Sequence, residues 1–155
     1  MLVAVEDEAE PAVRHAVEAA VRAGCPVHVL HVVDPGDGLA AHADGERLLH
    51  DVALRAEGLA EGQVTVSTEL AHAGPVVDVI VERAGRARQV VLQRHDGGRL
   101  TGPPPSTRPG STCTEVALRA TCPVVLVPGT DRTAPAPGEG TPGLDVTPVL
   151  PGVLP

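Results

Sequence analysis

The chain contains no Phe, Tyr or Trp, and none of its basic residues is Lys. The first absence leaves a core of Val, Leu, Ala and a single Ile, Ile80. It also removes the aromatic platforms on which nucleic-acid bases stack, and a net charge of -8 repels a phosphate backbone. The sequence therefore predicts no nucleic-acid partner. The second absence removes the phosphate-holding lysine of a Walker-type loop and all Schiff-base chemistry. All twelve basic residues are Arg, a bias that reads as compositional drift beside so much Ala, Val, Gly and Pro. No apolar run approaches the roughly 18 residues of a membrane-spanning helix, so no membrane insertion is expected. The first residues, MLVAVEDEAEP, turn acidic early and have no basic region, unlike a secretory signal. Cysteine is scarce. Cys25, Cys113 and Cys122 are odd in number and lack metal-type spacing, which suits free thiols in a reducing cytoplasm.

What is present is an alternation of short apolar runs and amphipathic stretches. With 155 residues and 43% hydrophobic content, one packed domain is expected. Residues 2–5 read as a buried strand. Acidic residues and Pro11 then open a helix over 12–23, with Val13, Ala16, Val17, Ala20 and Val21 at helical spacing. Gly24 stops it. A second strand spans 27–33 and a second helix 39–60, whose ends Gly45 and Gly58 obscure. Residues 64–70 alternate and are rich in β-branched side chains, as a third strand. A third helix over 76–87 places Val77, Ile80, Val81 and Ala84 on one face. Residues 90–92 form strand four, 112–120 helix four and 124–127 strand five. Strands alternating with helices predict an α/β fold with an open parallel sheet and helices on both faces. Residues 129–155 hold six Pro and five Gly without long apolar periodicity. They read as a disordered tail after a domain that ends at 128.

The segment after strand four, QRHDGGRLTGPPPSTRPGS, leads into Thr112. A strand, a glycine-bearing loop and a helix start is the layout by which α/β proteins hold phosphates.

Four segments together resemble the universal stress protein family. They are MLVAVEDEAEPAVRHAVEAAVRAG, VHVLHVVDP, AHAGPVVDVIVERA and GSTCTEVALRATCPVVLVP. The resemblance covers residues 1–128 and LHVVDP is its most specific part. It implies a Rossmann-like, open five-stranded parallel sheet in the order 3-2-1-4-5, a homodimer, and in some members an ATP site. That site lies in the crevice between the carboxyl ends of strands one and four. Carried onto this chain, its residues would be Ala4, Val5 and Glu6 after strand one, and Val32 facing adenine. Leu92 would end strand four, and Gly97, Gly98, Gly110, Ser111 and Thr112 would hold phosphate.

The family's binding pattern sets Gly directly after strand four, Gly again after two residues, about nine residues, then Gly-Ser or Gly-Thr. Here Gln93 and Asp96 stand at the first two positions, and 13 residues separate Asp96 from Gly110. Four of those are Pro103, Pro104, Pro105 and Pro109, which have no N–H to donate to a phosphate. Asp96 sets negative charge beside one, at about 2–3 kcal/mol per unit pair near 6 Å before screening. Arg94, Arg99 and Arg108 offer compensation, and Mg²⁺ would turn Glu6 or Asp96 into a ligand. The expectation is a stress-response binding or interaction module with a degenerate nucleotide loop, and not an enzyme. The alternative is an ATP-binding switch of the same fold.

The remaining polar residues carry less. His28 and His31 sit three apart on a strand and should point to opposite faces. His42, His50 and His72 read as scattered surface groups, so no metal site is expected. His95-Asp96 reads as a solvated loop pair, since no nucleophile motif accompanies it. Strand five, from Val124 to Val127, is apolar and falls at a sheet edge, which the same strand of a second copy would cover.

Overall fold

The computed structural model describes residues 1–6, 9–72, 74–94 and 112–129. Nine elements alternate: β1 (Leu2–Ala4), α1 (Glu10–Ala23), β2 (Val27–Val32), α2 (Gly38–Ala60), β3 (Val66–Ala71), α3 (Val76–Ala84), β4 (Val90–Arg94), α4 (Thr112–Arg119) and β5 (Val124–Pro128). The strands are all parallel and lie in the order β3-β2-β1-β4-β5, as the resemblance implies. The expected tail lies outside the described residues, apart from Gly129.

Side chains alternate along each strand. Val3, Val29 and Val91 therefore pack with α1 and α2, while Leu2, Leu30 and Leu92 pack with α3 and α4. Without aromatics, Leu30 is the largest fully buried side chain. A Val-rich sheet fills its interior to normal density by taking small side chains against it, here Ala12, Ala16 and Ala20 of α1.

Several boundaries move, each for a local reason. Helix α1 begins at Glu10, two residues early, because Pro11 and an acidic first turn suit a helix start. Strand β1 ends at Ala4, although the Val5 N–H still donates to the Leu30 carbonyl at 2.9 Å. Helix α2 runs unbroken through Gly45 and Gly58. Gly45 is there for close approach: a Cβ would stand 2.8 Å from His31 Cδ2 and 2.9 Å from Leu70 Cδ1. Strand β3 starts at Val66, where its register with Val27 begins, not at Val64. Pro26 precedes Val27 and has no N–H with which to extend that ladder. Helix α3 stops at Ala84, and residues 85–87 continue as tighter turns, with the Ala87 N–H donating to the Ala84 carbonyl. Strand β4 runs two residues past Leu92 because β5 supplies partners, Val127 for Gln93 and Pro128 for Arg94.

His28 and His31 do take opposite faces. His28 bridges Ser67 Oγ and Glu69 Oε2, each at 2.9 Å. His31 Nδ1 lies 2.7 Å from the Val5 carbonyl oxygen, on the α2 side. His42 and His72 are not scattered: the fold brings His42 Nδ1 to 2.7 Å from His72 Nε2.

Candidate functional site

Strands β1 and β4 are neighbours whose chains leave to opposite faces, β1 to α1 and β4 to α4. A crevice must open between their carboxyl ends, and this is where open α/β sheets hold ligands. The structure has a cavity of about 410 Å³ there. Its floor is the end of β1, with Ala4, Val5 and Glu6. Leu30 and Val32 of β2 and Val76 and Ile80 of α3 form an apolar wall. Leu92, Gln93 and Arg94 of β4 and Thr112 and Cys113 of α4 close the other side.

Six expected site residues thus converge: Ala4, Val5, Glu6, Val32, Leu92 and Thr112. Gly97, Gly98, Gly110 and Ser111 lie outside the described residues, as do His95, Asp96 and the prolines. Gln93 is a strand residue, not the first residue of the loop. Sequence reading missed Ala9, Leu30, Val76, Ile80 and Cys113 as wall residues, and named Gln93 and Arg94 only as parts of the loop. Two signals were available. Val76 sits one helical turn before Ile80, and Cys113 directly follows Thr112 at the start of α4.

The polar groups of the crevice are few and distinctive. Gln93 Oε1 is buried and has no hydrogen-bond partner. The Gln93 side chain lies close to Gly129, just past β5. The Cys113 thiol donates to the Gln93 carbonyl at 3.4 Å. Burial, and then the negative charge of Glu6, push its pKa up, while Arg94 pulls weakly the other way. The thiol therefore stays protonated near neutral pH, which makes it a poor nucleophile. Helix α4 opens at Thr112, so its first N–H groups and the positive end of its dipole lie at the crevice rim.

A second, smaller cavity of about 270 Å³ lies between α1 and α2, against Val13, Val52 and Leu59. Glu10, Arg14 and Arg55 line it as well, and it holds none of the expected site residues.

A model of the universal stress protein family matches residues 1–128. The chain belongs to the universal stress protein family. None of the curated proteins compared with it matches. Among solved structures, this universal stress protein domain is similar to a universal stress protein from Archaeoglobus fulgidus described in complex with dAMP. Identity there is 24%, over 81% of this chain and 94% of that one, with a TM-score of 0.66. A universal stress protein described in complex with cAMP shares 21% identity over 84% and 98% of the two chains, at a TM-score of 0.63. An Arabidopsis thaliana family member described with AMP bound shares 18% over 88% and 97%, at 0.52. Likeness at these identities carries the fold. No described helix of the domain is long and apolar enough to cross a membrane.

Proposed function

We propose that this domain is a cytoplasmic stress-response binding module whose crevice takes an adenine nucleotide, gripping the nucleoside end more firmly than a polyphosphate. The observation that carries this reading is the cavity at the β1–β4 switch point, with apolar walls and Glu6 and Arg94 at its edges. Val32, Ile80 and Leu92 would flank the base. Glu6 would accept from ribose hydroxyls, and Arg94 with the start of α4 would meet the first phosphate. Relatives of the same fold are described with dAMP, cAMP and AMP, which supports a mononucleotide-sized ligand. Gln93 and Asp96 at the glycine positions, and four prolines in the spacer, argue against a strong grip on outer phosphates. No catalytic residue is assigned.

Titration with labelled AMP, and with ATP and Mg²⁺, tests this. AMP should bind saturably, ATP no more tightly, and Ile80→Trp should abolish both by filling the cavity. ATP binding about tenfold tighter than AMP and lost in Gly110→Asp would establish the ATP switch instead. Absence of binding at millimolar concentrations of either ligand would overturn the nucleotide reading.

The domain is further proposed to dimerise through β5. Among the described residues β5 pairs only with β4, and Leu126 is 40% exposed on this apolar edge. Sedimentation should give a dimer that Leu126→Pro dissociates; a monomer at high concentration would refute it.

A further inference from the structure

His42, early in α2, and His72, directly after β3, are 30 residues apart in the chain. The fold sets His42 Nδ1 2.7 Å from His72 Nε2, with ring centroids 4.5 Å apart. The other nitrogen of His42, Nε2, lies 3.2 Å from Glu46 Oε1, one turn along the same helix. All three side chains reach solvent.

We propose that His42 Nδ1 and His72 Nε2 form a two-histidine site for a divalent late-transition-metal ion of the Zn²⁺ and Cu²⁺ type, with Glu46 orienting His42. The chemistry begins with the tautomer. A carboxylate on Nε2 favours the form of His42 with its proton there, which leaves the Nδ1 lone pair free and aimed at His72. A carboxylate holding the far nitrogen is the usual support of a metal-ligating imidazole. Neutral imidazole is also the donor that these ions prefer over harder cations such as Mg²⁺.

The geometry is within reach. Two nitrogens at about 2.0–2.1 Å from a tetrahedral ion stand about 3.3 Å apart. The pair must therefore open by about half an ångström from its 2.7 Å contact, which small side-chain rotations supply at solvent-exposed positions. The shared hydrogen bond, in which His72 Nε2–H donates to His42 Nδ1, is given up: the His72 proton moves from Nε2 to Nδ1, a tautomer shift with no net proton loss. Among the described residues no group of three or more His, Cys, Asp or Glu converges on a metal position. Water fills the remaining positions, so the site is open and its ion exchangeable. Its position would tie α2 to the connection that leads through Gly74 and Pro75 into α3.

Calorimetric titration of the full chain with Zn²⁺ alone, near neutral pH, tests the site. One equivalent should bind at micromolar concentration, and Mg²⁺ should give no signal. His42→Ala and His72→Ala should each weaken Zn²⁺ binding at least about tenfold, and Glu46→Gln by a smaller factor. His50→Ala, on the same helix, should leave it unchanged. Imidazole ¹⁵N spectra should shift at His42 Nδ1 and His72 Nε2. Circular dichroism controls for folding, and His72→Ala keeps the test decisive should His42→Ala disturb α2. No saturable Zn²⁺ binding overturns the proposal. So does binding that survives both histidine variants, as it would if Cys25, Cys113 or Cys122 held the ion.

Discussion

On one face of the sheet, α1 and α2 are 14 and 23 residues long and press Ala and Val onto Val3, Val27, Val29 and Val91. On the other face, α3 and α4 have 9 and 8 residues. At 1.5 Å per residue, α2 extends about 35 Å and α3 only about 14 Å. The longer pair buries the larger apolar cluster. The shorter pair leaves the carboxyl ends of β1 and β4 open, and the crevice lies there. The two short helices rely more on polar ties. Arg119 of α4 meets Asp78 of α3 at 2.6 Å, and Arg83 of α3 grips Glu69 of β3 with two of its guanidinium nitrogens. The first face holds the larger buried apolar cluster, while shorter cover on the second leaves a cavity of about 410 Å³.

Substitutions can break this contrast. The largest effect is expected from Leu30→Ala, which removes the largest fully buried side chain on the crevice face. It should lose about 2–5 kcal/mol in urea unfolding, toward the lower end because the adjoining crevice admits water. Adding volume to each face should give unequal results. Ala16→Leu, fully buried under α1, should cost about 1–3 kcal/mol by overpacking. Ala4→Leu, half-buried at the crevice floor, should cost under about 1 kcal/mol and weaken nucleotide binding instead. Equal costs for the two would erase the distinction between covered and open faces.

A smaller effect concerns Glu69. The Arg83 hydrogen bonds, helped by His28 and opposed by burial, hold its carboxyl at about 2, below the ordinary 4.5. A depressed folded-state pKa gives stability that is fully present above 4.5 and is lost as pH falls toward 2. Glu69→Gln should lower Tm by about 2 °C at neutral pH and flatten the acid limb in that window. An unchanged acid limb would show that the α3 tie is not energetically coupled to folding. The smallest effect should come from Arg119→Ala. Its pair with Asp78 is half-exposed, so thermal unfolding should change by no more than about 0.5 kcal/mol.

Much of this was legible in the chain. Runs of Val, helical Ala and Val spacing, and Gly24 are local signals, and local sterics and burial enforce them. Hence the element order emerged before the fold, while the sheet order and six crevice residues from Ala4 to Thr112 came from family likeness. The extension of β4 through Gln93 to Arg94 was not legible, because a strand ends where its partner stops, and that partner lies about 35 residues on in β5. Nor was the unbroken α2, since Gly45 reads as a helix weakness until His31 and Leu70 are seen against it.

The sequence by itself determined an aromatic-free, lysine-free α/β chain, because composition and periodicity act over a few residues, and its family likeness implied where the crevice would lie. Only the tertiary structure decided which polar groups meet: Cys113 with the Gln93 carbonyl, Glu69 with His28 and Arg83, and His42 with His72. Those meetings join residues distant in the chain. They depend on how helices and strands close upon one another, which no local pattern encodes.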